Sequence, residues 1–247
     1  MRGFLQLTWV EIKLFLREPM ATFFTLIFPL MLLFVFGSIF GNKPQAFIGG
    51  FGSVDVSVPA YASMIIATSG LLSLTITLAS YREKGILRRL SVAPLRPEAI
   101  LISQVTVFLL MTILGLLFLF IAAKVFYGLR FKGNFLSVLG AFVLSSMSFF
   151  SLGFLLASIL PTARTAQIVS MALFYPMLFL SGAAIPRELL PESVRRVAQV
   201  LPLSHVVNLL RGLWIGESWG KKSTAVVVLA GILIVSVLVS AKTFRWE

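Results

Sequence analysis

The chain contains no cysteine among its 247 residues. Disulfides, thiolate metal sites and cysteine nucleophiles are thereby excluded. It contains one histidine, His205, with no carboxylate pair nearby, so the usual metal ligand set is missing. Charge is scarce: Asp, Glu, Lys and Arg supply 12% of the residues, where a soluble domain carries about a quarter. No Gly-x-x-x-x-Gly-Lys-Ser/Thr string occurs, and no lysine follows Gly49-Gly50-Phe51-Gly52-Ser53, so the chain has no phosphate-binding loop and is not expected to hydrolyse nucleotide. The net charge of +12 comes without a basic run interleaved with stacking aromatics, which argues against nucleic acid as a partner.

What the chain has is apolar surface. Hydrophobic residues make up 58% of the sequence, and the mean hydropathy is +0.99. Most of the solvent around such a chain is lipid, and 247 residues is the natural size of one membrane domain. Six charge-free windows are long enough to cross the hydrocarbon core, which takes about 20 residues as a helix. They run from Pro19 to Asn42, Val56 to Tyr81, Ala99 to Ala123, Gly133 to Ala163, Thr165 to Pro186, and Ser223 to Ala241. The fourth is longer than a crossing needs, which predicts tilt or an unpaired end. Only Arg164 separates the fourth from the fifth, in the turn Pro161-Thr-Ala-Arg-Thr165.

Residues 1–18 read as a separate element ahead of the six-helix domain at 19–247. The opening stretch alternates charge with apolar residues and is no secretory signal. Arg2, Gln6, Lys13 and Arg17 share one helical face, and Leu5, Trp9, Ile12 and Leu16 form an adjacent apolar stripe. That pattern predicts an amphipathic helix in the membrane interface, ended by Glu18-Pro19. The expected fold is all-α: six transmembrane helices, this interfacial helix, and two short helices between spans five and six. Those two follow from Leu189, Val194, Val197, Val200 and Leu201, then Val206, Leu209, Leu210 and Leu213, at near-helical spacing around Pro202.

Six spans put both termini on one side. Basic residues on the two sides nearly tie, but the first loop, Gly41 to Pro59, has one lysine against five basic residues between Tyr81 and Pro97. Short, early loops dominate orientation, so the termini are expected in the cytoplasm of a cell-membrane protein. The basic excess between spans five and six runs against that orientation.

The polar stretch Tyr81 to Pro97, YREKGILRRLSVAPLRP, interrupts the apolar pattern most sharply. Gly85 can break the incoming helix. Ile86, Leu87 and Leu90 then share one side of a short helix, with Lys84, Arg88 and Arg89 largely on others. Two readings stand: a basic topology signal touching anionic lipid, or a docking helix for a cytoplasmic partner.

Other polar residues are fewer. Ser69, Ser73, Thr77 and Ser80 form one face of span two, which either ties helices together or lines a pathway. Span five carries Phe174, Tyr175, Pro176 and Phe179, a hydrophobic plug or ordinary packing. Ala67-Thr68-Ser69-Gly70 lacks the earlier glycine of an intramembrane protease nucleophile, and His205 lies in a loop rather than a span. Leu180-Ser181-Gly182 looks like part of an ATPase signature but sits in an apolar run. No charged residue lies deep in a window, which argues against a self-powered carrier. An ATP-independent channel, scaffold or intramembrane enzyme stays open as the alternative.

Two stretches resemble a known family. Arg82-Glu83-Lys84-Gly85 with Leu87, Leu90 and Ala93-Pro94-Leu95 is similar to the R-E-x-G-x-L-x-x-L-x-x-x-P-L segment in the membrane subunits of type-2 ATP-binding-cassette exporters. Ile185-Pro186, Leu190-Pro191, Leu201-Pro202-Leu203-Ser204-His205 and Arg211-Gly212 resemble that family's outer hairpin. The resemblance covers essentially the whole chain. It implies a permease that dimerises with itself or a similar permease. It implies two copies of a cytoplasmic ATPase, which hold the ATP and Mg, with no cofactor on this chain. The ATPase would dock on Arg82, Glu83, Lys84, Gly85, Ile86, Leu87, Arg88, Arg89 and Leu90. The pathway would be lined by Ser69, Ser73, Thr77, Phe174, Tyr175 and Phe179, and the exit closed near Pro202 and His205. The implied cargo is a hydrophobic or amphiphilic drug, lipid or lipid-linked glycan.

Overall fold

A computed structural model describes residues 2–44, 50–86, 97–184 and 191–243. Among the described residues every regular element is helical. Helix α1 spans Arg2–Arg17. Five long helices follow: α2 (Pro19–Phe40), α3 (Ser53–Glu83), α4 (Pro97–Tyr127), α5 (Phe135–Ile159) and α6 (Ala163–Leu180). Two short helices, α7 (Glu192–Ala198) and α8 (Pro202–Trp214), precede the last long helix, α9 (Ser223–Thr243). Six helices are long and apolar enough to cross a membrane, matching the six windows. The chain is therefore a multi-pass membrane protein, with α1 beside the last turns of α3 at one end, the proximal end, and the start of α3 at the other, the distal end.

Local chemistry sets the boundaries. Glu18 breaks the chain before Pro19, which opens α2 at a position where the missing N–H costs nothing. The Asn134 side chain accepts the Ser137 N–H at the start of α5. The Thr162 hydroxyl accepts the Thr165 N–H at 3.2 Å and caps α6. The fourth span runs Phe135–Ile159, and its 25 residues still exceed the about 20 that a crossing needs. One expectation changes here. Arg164 belongs to the first turn of α6, not to the turn before it, because Thr162 already starts that helix.

Helix α3 is the centre of the bundle, with most of its length buried. Its middle widens into a π turn at Thr68–Leu74. A wide turn leaves backbone carbonyls off the regular ladder. The Thr75 hydroxyl makes up for this, lying 3.2 Å from the Gly70 carbonyl and 3.3 Å from the Gly153 carbonyl on α5. The two helices touch backbone to backbone there. A Cβ on Gly70 would come within 2.7 Å of the Phe149 backbone, and one on Gly153 would overlap the Gly70 carbonyl. Helix α2 has its own π turn at Phe23–Ile27. Thr25, in that turn, is buried and meets Ser69 across 3.4 Å.

The core has two parts. The larger one, toward the distal end, gathers Leu33, Tyr61, Phe142, Phe149, Leu210 and Trp214. The smaller one gathers Phe15, Leu78, Phe108 and Phe150. Phe15 meets Phe108 edge-on at 5.3 Å, and Phe108 meets Phe150 at 6.3 Å. Such pairs add about 0.5–1.5 kcal/mol beyond area burial. Through them α1 is fastened to α4. Among its described side chains Thr8, Glu11 and Phe15 are buried, whereas Trp9 and Leu16 of the expected apolar stripe point outward. Ile12 of that stripe packs against the smaller core, so the stripe is divided between the bundle and its surroundings.

Candidate functional site

Helix α3 ends at Glu83, and Gly85, with φ of +63°, turns the chain away in a conformation that suits glycine. Just before that turn, two adjacent residues of opposite charge grip the α5–α6 connection. Arg82 donates from Nη1 to the Ser158 carbonyl at 3.1 Å and from Nη2 to the Leu160 carbonyl. These carbonyls belong to the end of α5, where unpaired backbone acceptors favour a cation. Glu83 Oε2 accepts the Ala163 N–H at 2.8 Å, at the start of α6, where an anion is favoured. The end of α3 is thus clamped to two other spans at once. Lys84 is exposed and Ile86 half-buried. Leu87, Arg88, Arg89 and Leu90 lie outside the described residues.

A second set of contacts ties α1 to the same turns of α3. The Tyr81 hydroxyl donates to Glu11 Oε2 at 3.0 Å. Burial pushes the Glu11 carboxyl above its ordinary range, and the Tyr81 hydrogen bond partly opposes this. The Thr77 hydroxyl reaches Glu18 Oε2 at 3.5 Å, and the Thr22 hydroxyl donates to the Phe15 carbonyl at 2.9 Å.

Ser69 is buried against Thr25, Ser73 is buried, and Thr77 turns toward Glu18. On α6, Phe174 is buried, with its ring 5.5 Å from that of Tyr175, whereas Tyr175 and Phe179 are exposed on the surface of the single chain. So Phe174 does not share a face with the other two. At the distal end, Pro202 opens α8 in its first turn and His205 is half-buried.

Sequence reasoning passed over Asp55, which is fully buried at the distal end of α3. Its Oδ1 accepts from Asn42 Nδ2 at 2.9 Å and from the Arg130 N–H at 2.8 Å. Its Oδ2 accepts from the Gly52 N–H at 2.8 Å. Asn42 Nδ2 also donates to the Tyr127 carbonyl at 3.1 Å. One carboxylate thus joins the ends of α2, α3 and α4. The one acidic residue in an otherwise polar-to-apolar approach, GGFGSVDVSVPA, was the available signal.

Six apolar spans around a buried central helix, with a charged clamp at one end, define a helical multi-pass membrane domain. The family model for the ABC-2 type transporter matches residues 2–214, and the chain belongs to that family. Over 228 residues it is 27% identical to the daunorubicin resistance ABC transporter permease protein DrrB1 of Streptomyces coeruleorubidus, covering 89% of this chain and 76% of that one. It is 29% identical over 210 residues to the putative transport permease ycf38 of Cyanophora paradoxa, covering 82% of this chain and 71% of the other. It is 30% identical over 110 residues to nodulation protein J of Rhizobium leguminosarum bv. viciae, covering 44% and 42%. The chain is an ABC transporter permease of the type-2 class.

Proposed function

We propose that this permease is the membrane half of an ATP-driven exporter of a hydrophobic or amphiphilic substrate. It works as a homodimer or heterodimer of permeases on two copies of a cytoplasmic ATP-binding-cassette ATPase. ATP and Mg bind on the partner subunit, which supplies the energy. Both termini and the Tyr81 to Pro97 stretch face the cytoplasm, a placement favoured by its five basic residues against one in the first loop.

The observation that carries this reading is the clamp of Arg82 and Glu83 on the ends of α5 and α6. Ile86, Leu87 and Leu90 fill a groove on the ATPase, and Arg88 and Arg89 set orientation and on-rate as rim charges do. When that docking segment moves, α3 moves with it as a lever. Because α3 is clamped to the α5–α6 connection and bonded through Tyr81 to Glu11 of α1, a displacement at one point reaches four helices together. That is how a small movement biases a two-state bundle between an inward-open or lipid-open arrangement and an outward-open one. Ser69 and Thr77, now closed against Thr25 of α2 and Glu18 at the α1–α2 junction, become pathway-lining together with the buried Ser73 when those contacts part. Tyr175 and Phe179 face the second permease or the pathway, and α8, opened by Pro202 with His205 in its first turns, closes the exit. The relative named for daunorubicin resistance supports a drug-like amphiphile as the substrate class.

Reconstitution of the permease with its ATPase in proteoliposomes tests this. Uptake of a fluorescent amphiphile should require ATP. Leu87→Asp or Leu90→Asp should abolish it while the protein remains in the membrane. Unchanged transport in those variants would sink the docking role.

A further inference from the structure

The stretch between α6 and α9 holds Arg187, Arg195, Arg196, Arg211, Lys221 and Lys222. In the orientation proposed above these lie outside, where topology disfavours them, so they call for a reason other than topology. Four of them line one open cavity of about 860 Å³ between α7, α8 and the turn leading into α9. Cavities of roughly 300–1,000 Å³ are the size that takes a small ligand.

The lining is charged and partly built. Arg195, Arg196, Arg211 and Lys222 face two carboxylates, Glu192 and Glu217, a net lining charge of +2 from four cations less two anions. Glu192 pairs with Arg196 at 2.7 Å, and Glu217 pairs with Lys222 at 2.7 Å. Lys222 Nζ also donates to Asn208 Oδ1 at 3.0 Å. Gly212 makes room for this pair: a Cβ there would overlap Lys222 Cε and lie 2.6 Å from Glu217 Oε2. One wall of the cavity is thus a fixed lysine on the α8 backbone. Val207 and Ile215 give the same wall an apolar part.

We propose that this distal cavity binds a phosphate-type anion, either as the headgroup of an anionic lipid or as a free ion. A planar guanidinium can offer paired N–H donors to two oxygens of a phosphate, and the lining carries more cations than carboxylates, with Glu192 held by Arg196 and Glu217 by Lys222. The apolar part of the wall favours a headgroup with carbon attached. The cavity's chemistry does not depend on the proposed direction of transport or on the ATPase. Only the argument about which side it faces rests on that reading.

The test uses the purified full chain in a nonionic detergent, without ATPase, so its failure leaves the coupling proposal standing. Thermal unfolding is followed while three probes are titrated separately: dihexanoyl phosphatidylglycerol, dihexanoyl phosphatidylcholine and inorganic phosphate. The expected result is a saturable upward shift with phosphatidylglycerol, at least tenfold weaker with phosphatidylcholine. Arg195→Gln, on an exposed face of α7, should raise the half-saturating concentration about tenfold, and so should Arg211→Gln. Lys221→Gln, which removes the same charge outside the cavity, should change nothing. A saturable shift with inorganic phosphate, equally sensitive to Arg195→Gln, supports the site and assigns it to a free anion. Equal response to the two lipids, or an Arg195→Gln variant that titrates like the parent, overturns it.

Discussion

Glu83 Oε2 accepts the backbone N–H of Ala163 at 2.8 Å, joining the end of α3 to the first turn of α6 across 80 residues of chain. Its neighbour Arg82 holds the end of α5 through the Ser158 and Leu160 carbonyls. The pair places opposite charges on opposite helix ends, each where the backbone dipole favours it. Glu83→Ala should cost about 1 kcal/mol, as the loss of a helix cap does. Arg82→Gln should cost about 1.5–3 kcal/mol, since it removes two charge-assisted bonds from a partly buried site. Thermal unfolding of the purified permease measures both. If the clamp transmits motion, Arg82→Gln also lowers transport more than it lowers the amount of folded protein.

Asp55 is the most concentrated polar contact at the distal end. Asp55→Ala should destabilise by about 1–3 kcal/mol, because it leaves one buried and two part-buried donors without their shared acceptor. Asp55→Asn should fall between the two, since its one carbonyl can serve only part of the set. Melting temperatures of the three proteins give the order. Equal melting of Asp55→Ala and the parent would remove the carboxylate from this role.

The Gly70–Gly153 crossing predicts a packing defect of a different kind. Gly153→Ala drives a methyl into the Gly70 carbonyl. Overpacking of this sort costs about 1–3 kcal/mol. Thr75→Val keeps the shape but loses the hydroxyl shared by the two carbonyls, at about 1 kcal/mol. Differential scanning of the detergent-solubilised protein distinguishes the two sizes of effect.

Glu11 predicts a pH dependence. Its carboxyl in the folded chain titrates above the ordinary 4.5. The folded state therefore holds its proton more tightly than the undocked one, so stability falls as pH rises from about 4.5 through the raised value. Glu11→Gln keeps an acceptor for the Tyr81 hydroxyl and removes the ionisation. Its melting temperature should lose that part of the slope and exceed the parent's at neutral pH. An unchanged slope would assign the pH dependence to other groups.

Much of this architecture was legible in the sequence, for a simple reason. Membrane spans are announced by length and lack of charge, so all six windows fall on helices. The break at Glu18-Pro19, the turn at Gly85 and the two helices around Pro202 follow from residues with strong local preferences. The π turns were not legible, because hydropathy is insensitive to one extra residue in a turn. Asp55 was missed because a charge at the edge of an apolar run looks like loop until partners from three helices surround it. For α1, periodicity located an apolar stripe at Leu5, Trp9, Ile12 and Leu16, but burial follows Thr8, Glu11 and Phe15. In a membrane the apolar face need not be the packed face, since lipid accepts it equally well. Arg82 and Glu83 stood out in the sequence as part of a polar stretch, but their partners on α5 and α6 could come only from the fold.

This permease is proposed to work on a cassette ATPase through the segment that follows the Arg82–Glu83 clamp. The most direct measurement is a pull-down of the solubilised permease from its native membrane, with mass spectrometry and an ATPase assay on the eluate. The expected eluate contains a stoichiometric cassette ATPase that is lost when Leu87 and Leu90 are changed to Asp. A stable, folded permease that elutes alone and without ATPase activity would contradict it and return the Tyr81 to Pro97 stretch to a topology signal.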